Sequence, residues 1–129
     1  MKMEDIIRIH TQKRSSIDLC AAIQETLDQH KAADITTIDL TGKSSIGDFL
    51  LIATGTSQRH LHALALYAQD KSKVLGIKNT RLEGTEASGW VILDLGDVIV
   101  HLFLAESRTL YDLESMWDPK LYQRTAQES

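Results

Sequence analysis

Gly89–Phe103 reads GWVILDLGDVIVHLF, and this stretch constrains the fold more tightly than the rest of the chain. Two apolar runs flank Gly96-Asp97, a two-residue hairpin signal. With those residues as the turn, Leu95 pairs with Val98 and Trp90 with Phe103. Side chains alternate between faces along a strand, so the register sorts them into two sets. Val91, Leu93, Leu95, Val98, Val100 and Leu102 share an aliphatic face that reads as core. Trp90, Ile92, Asp94, Ile99, His101 and Phe103 share the other. That second face is too apolar for solvent, and Asp94 and His101 are out of place in a core. A mixed surface of this kind is what a protein-binding patch looks like. The competing reading has a helix covering both faces, with Asp94 and His101 satisfying each other across a diagonal.

A chain of 129 residues is expected to form one domain with a real core, and 43% apolar with 25% charged residues is ordinary globular composition. The net charge of −4 argues against a protein held mainly by nucleic-acid phosphates, which require a basic face. It permits docking on a basic protein surface, and no direct sequence-specific contact with nucleic acid is expected. The single cysteine, Cys20, excludes an internal disulfide. Its place beside Leu19 and Ile23 suits a small buried hydrophobe better than a nucleophile. The compartment is read as reducing and the localisation as cytoplasmic. No apolar run approaches a membrane span. The start, MKMEDIIRIHTQKRS, is mixed in charge, and residues 1–14 read as a flexible or partner-dependent extension.

The main domain is placed at 15–119, followed by a tail over 120–129. A first helix is expected from Ser15 or Ser16 to about Lys31. Ser15 with Asp18 three residues on resembles a capping box, and Leu19, Ile23 and Leu27 form the apolar stripe. ITTIDL alternates as a half-buried strand, TGKSS turns, and Phe49–Thr54 is a continuous apolar run suited to a central strand. Thr56 or Ser57 caps a second helix with Leu61, Leu64, Ala65, Ala68 and Leu75 on one face and Gly76 at its end. Asn79–Gly89 reads as an irregular connection before the hairpin. A final helix spans Ser107–Trp117 with Leu110, Leu113 and Trp117 on one side, closed by Pro119. The order α-β-β-α-β-β-α predicts an α/β fold with a small mixed β-sheet and flanking helices. Strand–helix–strand over Phe49–Leu95 predicts a right-handed crossover, and one sheet face is left short of cover.

Few residues suggest chemistry. Gly55-Thr56-Ser57 follows a strand and opens a helix, as in phosphate-binding turns. Nucleotide-transferring enzymes add two carboxylates at i and i+2 on the next strand. Here Asp94 and Asp97 are three apart with Asp97 in the turn, so a simple helix cap explains the motif better. His60 and His62 point to different sides of a helix and make a poor metal pair. A Ser57–His60–Asp48 triad can be drawn, but Ser57 lacks the sharp G-x-S-x-G setting. No catalytic residue, metal ligand or cofactor is assigned. Arg108, Asp112 and Glu114 read as solvated helix charge, and Tyr111 either extends the hairpin patch or packs under it.

GTSQRH at Gly55–His60, Glu83-Gly84, the WVILDLGDVIVHLF run and RTLYDLESMW at Arg108–Trp117 together resemble the Iojap family of bacterial ribosomal silencing factors and their organellar relatives. The resemblance covers roughly Leu19 to Trp117. Asp48, Tyr111, Leu113 and Glu114 also match the family pattern. Leu95, where many members carry an aromatic, departs from it, and the family says little of the N-terminal extension. The resemblance implies a fold similar to nucleotidyltransferases without their metal carboxylates. It implies a non-enzymatic regulator that binds large-subunit ribosomal protein uL14, blocks small-subunit joining and represses translation when nutrients are scarce. By analogy, Trp90 with Ile92, Asp94, Ile99, His101, Phe103 and Tyr111 would meet the ribosomal protein. The alternatives are a nucleotide-binding enzyme with a degenerate metal site, and a homodimer that uses the same face.

Overall fold

The hairpin forms in the expected register. Strands β4 (Trp90–Asp94) and β5 (Val98–Leu104) pair antiparallel with Trp90 opposite Phe103 and Leu93 opposite Val100. The Leu95 N–H donates to the Val98 carbonyl at 2.9 Å. Gly96 takes the first turn position at φ +90°, a conformation that costs glycine little. The computed structural model describes residues 2–43, 47–84 and 88–116, and only the backbone of residues 5–14. Ser44, Ser45, Trp117, Pro119 and the tail at 120–129 lie outside the described residues.

Ahead of the hairpin lie α1 (Met3–Gln29), β1 (Ala33–Asp39), β2 (Phe49–Gly55), α2 (Gln58–Val74) and β3 (Arg81–Glu83); α3 (Ala105–Tyr111) and α4 (Leu113–Met116) follow it. The five described strands form a mixed sheet in the order β1-β2-β5-β4-β3. The fold is α/β with flanking helices, as expected, but with one strand more than the sequence pattern gave. β3 falls within the stretch read as irregular. It is short because it only extends the β4 edge, with Arg81 opposite Asp94 and Glu83 opposite Ile92. The crossover also differs. β2 runs parallel to β5, with Phe49 beside Val98, so α2, β3 and β4 all lie within the connection. The expected Phe49–Leu95 unit joins strands that are not neighbours.

The aliphatic side of the hairpin meets α1 and α2. Val91, Leu93, Leu95, Val98, Val100 and Leu102 pack with Leu19, Cys20, Ile23 and Leu27 of α1 and with Leu61, Leu64, Ala65 and Ala68 of α2. Burying an aliphatic side chain of this size contributes about 1.5–3 kcal/mol, so this layer is the main source of stability. Leu75 is exposed, contrary to expectation, and Ser72 closes the buried stripe of α2 in its place. The reason is the end of the helix. Gly76 at φ +91° donates to Lys73 O, and Ile77 N donates to Ser72 O, which turns the chain away at Leu75.

Two helix boundaries need correction. α1 begins at Met3, so Ser15 lies inside a helix and forms no capping box. Ser16 is buried and donates to the Asp48 carboxylate at 2.7 Å. The last helix is not continuous over Ser107–Trp117. Asp112 adopts the left-handed conformation at φ +45° and separates α3 from α4. Leu110 is left exposed while Leu113 packs inward.

Candidate functional site

The second face of the sheet carries its own apolar cluster. Leu40, Leu50, Ile52, Ile99 and Phe103 are buried there, with Ile38, Trp90, Ile92 and Leu113 packed around them. Among the described residues, the helical cover on this face comes from α3 and α4. This divides the residues singled out from the hairpin. Ile99 and Phe103 are core, because β5 lies between β2 and β4 and Phe103 is flanked by Thr54 and Trp90. Trp90, Ile92, Asp94 and His101 are only partly buried, and Tyr111 keeps 44% of its surface exposed.

Four aromatic rings meet at one end of this face. The Trp90 centroid lies 4.5 Å from that of Tyr111, 5.1 Å from Phe103 and 5.7 Å from His101. Offset and tilted contacts at such distances add about 0.5–1.5 kcal/mol each beyond area burial. The Trp90 indole N–H donates to His101 Nδ1 at 2.9 Å. The Asp94–His101 contact of the competing reading does not form. Asp94 Oδ1 accepts from Gly96 N at 2.8 Å instead, because an aspartate readily closes a local turn with the amide two residues on. Burial pushes the His101 imidazole down to about 4, so it is neutral at pH 7. With Nδ1 accepting from Trp90, its proton resides on Nε2.

Beside the aromatic end, Arg81, Glu83, Ile92, Asp94, Ile99 and His101 line a groove of about 280 Å³. Isoleucine walls with carboxylates nearby suit the aliphatic stem and charged head of a basic side chain. Arg81 approaches Glu83 to 3.8 Å, but both are well exposed and the pair adds little. Sequence reasoning missed Arg81 and Glu83 because it missed β3, whose pairing brings them onto this face.

It also misread Arg108 as solvated charge. The guanidinium is largely buried and donates to Glu114 Oε1 at 2.7 Å, Asp34 O at 2.5 Å, Thr54 Oγ1 at 2.9 Å and Thr36 Oγ1 at 3.0 Å. Asp34 is left-handed at φ +48°, in the irregular start of β1. Arg108 therefore ties α3 to β1 and β2 and to the far side of the Asp112 break. Its hydrogen bond holds the Glu114 carboxyl below the usual carboxylate range.

The other candidates are structural. Ser57 caps α2 by accepting from His60 N at 3.0 Å. His60 Nδ1 accepts from Thr56 N at 3.0 Å, and its Nε2 lies 2.9 Å from His30 O, which joins the start of α2 to the end of α1. With Asp48 bonded to Ser16, the drawn Ser57–His60–Asp48 triad has each member engaged elsewhere. Cys20 is buried, and burial pushes its thiol up to about 11, the state of an inert core cysteine. Among the described residues no three His, Cys, Asp or Glu side chains converge as a metal site, and no helix is long and apolar enough to cross a membrane.

Residues 13–129 match the family model described as ribosomal silencing factor during starvation. The chain belongs to the ribosomal silencing factor family. It is similar to the ribosomal silencing factor of Zymomonas mobilis, with 43% identity over 77% of this chain and 74% of that one. It is also similar to a mouse protein named mitochondrial assembly of ribosomal large subunit protein 1, with 33% identity over 84% of this chain and 47% of that one. A crystal structure of a Chromobacterium violaceum protein superposes with a TM-score of 0.74 at 36% identity, covering 78% of this chain and 83% of that one. These names place family members in translation regulation and ribosome association.

Proposed function

We propose that this protein binds the large ribosomal subunit by laying the Trp90 face on ribosomal protein uL14, and that its bulk keeps the small subunit from joining. The observation that carries this reading is the composition of the second sheet face. Trp90 and Tyr111 form a partly exposed aromatic anchor next to a groove walled by Ile92 and Ile99 and flanked by Asp94 and Glu83. Central aromatics beside charged groups are what binding hot spots contain. The net charge of −4 favours a basic protein partner over bare RNA. The mouse relative's name points to the same subunit. Self-association through the same face would compete with this docking.

The action is read as occupancy without chemistry. Asp94 is engaged by Gly96 and Asp97 sits in the turn, so neither offers the paired carboxylates of a nucleotide-transferring site. A steric blocker saturates near one copy per large subunit and does not turn over. Purified subunits are mixed with increasing protein, and joining is followed by light scattering. Blocking is strong when the protein is added first and weak on ribosomes already joined, whose site is covered. Substoichiometric, time-dependent loss of joining overturns the steric account and indicates an enzyme that modifies the ribosome.

A further inference from the structure

We propose that Arg108 and Glu114 form a positioning pair that seats the Tyr111 ring on Trp90 and so sets the shape of the recognition face. The proposal rests on the reading of that face as the docking surface. Residues six apart in an unbroken α-helix lie ~120° apart around the axis and ~9 Å apart along it. They are not neighbours on the helix surface. Arg108 and Glu114 nevertheless meet at 2.7 Å, because the left-handed Asp112 breaks the helix between them. Aspartate enters that conformation more readily than most residues, as a helix C-cap, but it is still strained there and is held by its contacts.

Two sets of contacts fix it here. On the local side, Ser115 Oγ donates to Asp112 Oδ2 at 2.6 Å. On the tertiary side, Arg108 is anchored to Thr36, Thr54 and the Asp34 carbonyl, and it holds Glu114 against that anchor. Tyr111 and Leu113 flank the break. Leu113 enters the second cluster, and Tyr111 reaches Trp90 at 4.5 Å and Phe103 at 6.1 Å. Without the Glu114 contact the Ser115 hydrogen bond alone holds the break, which can then straighten and carry Tyr111 away from Trp90. Arg108 is 13% exposed and Glu114 37%, so the glutamate is the member that can be changed without leaving buried donors all unpaired.

The test uses the full chain carrying Trp117→Phe, which leaves Trp90 as the one indole of the two. Its N–H proton resonance reports the Tyr111 ring directly and does not depend on any partner. Glu114→Ala is expected to move that resonance toward its position in Tyr111→Ala. Glu114→Gln, which can still accept from Arg108, is expected to stay near wild type. Glu114→Asp keeps the charge but shortens the reach, and gives the same test with less perturbation should Glu114→Ala not fold. An unmoved resonance in a folded Glu114→Ala or Glu114→Asp variant overturns the proposal.

Large-subunit affinity provides the second arm. Coupled neighbours predict a roughly tenfold loss for Glu114→Ala in the wild-type background and none beyond that of Tyr111→Ala when the two are combined. An additive loss in the double variant shows that Glu114 does not act through Tyr111, and the proposal fails. Failure of the unmutated chain to bind the large subunit sinks the docking reading, while the indole resonance still decides whether the pair positions the ring.

Discussion

Trp90 and His101 sit diagonally across the β4–β5 ladder and are joined by an indole N–H donated to the imidazole Nδ1 at 2.9 Å. This bond requires an unprotonated Nδ1. Protonation of His101 replaces the acceptor with a second donor, so the aromatic end of the face holds together only while the imidazole is neutral.

Stability is therefore expected to fall with pH over a defined window. The folded His101 titrates at about 4 and an unfolded histidine near 6.5. Between those values the unfolded state binds more protons, so stability rises with pH. The contribution is fully present above about 6.5, is lost as pH falls toward 4, and amounts to at most roughly 3 kcal/mol. Urea unfolding at pH 7 and pH 5, compared between wild type and His101→Gln, measures it. An equal pH dependence in both proteins means that His101 is not the titrating group.

Trp90→Ala is expected to abolish most large-subunit binding, at a cost of roughly 2–4 kcal/mol. The variant should fold, because α1, α2 and the aliphatic face are untouched, although lost contacts with Phe103 and Tyr111 lower its stability. Circular dichroism and subunit pull-down separate the two effects. Normal binding by the folded variant removes Trp90 from the interface.

Gly84→Ala should be among the most damaging single methyl additions in the chain. Gly84 has φ +125°, and a Cβ there would lie 2.4 Å from Trp90 O and 2.9 Å from Val91 Cα, both backbone atoms. We expect a loss of about 2 kcal/mol or more in urea unfolding, with β3 displaced from β4. Gly42→Ala is the contrast. It shares a positive φ of +76° but meets nothing within 4 Å, so its smaller loss isolates the backbone strain from the clash.

Cys20 should resist thiol reagents in the folded protein. Burial pushes its thiol up to about 11, so little thiolate exists at pH 8. Ellman's reagent is expected to react slowly in buffer and within seconds in urea. Fast labelling of the native chain would place Cys20 in an accessible pocket.

What could be read from the sequence follows the range of each interaction. The hairpin register was legible because alternation and Gly96-Asp97 are local signals that agree. The apolar stripe of α2 was legible for the same reason, apart from its last member, where the Gly76 cap turns Leu75 outward. β3 was not legible. Arg81-Leu82-Glu83 has no strand pattern beyond three residues, and only the β4 edge makes it one. The helix break was hidden because LYDLESM is a good helical sequence. Asp112 departs from it under contacts made by Arg108 with Thr36 and Thr54, far away in the chain. The arginine's burial has the same cause. Charge on a predicted helix looks solvated until the strands that receive it are placed.

The parallel pairing of β2 with β5 also governs how the chain reaches this structure. β4 and β5 can close across their two-residue turn within microseconds, whereas Phe49 must wait for Val98. Such distant contacts raise the contact order and slow folding. On a chain emerging from the ribosome, Leu50, Leu51, Ile52 and Ala53 are made long before β5. Until it arrives, β2 is an open apolar edge, the kind of segment that aggregates or recruits a chaperone. Among the described strands, the last to be synthesised is thus the one that closes the centre of the sheet, so the sheet cannot close until Val98–Leu104 has been made.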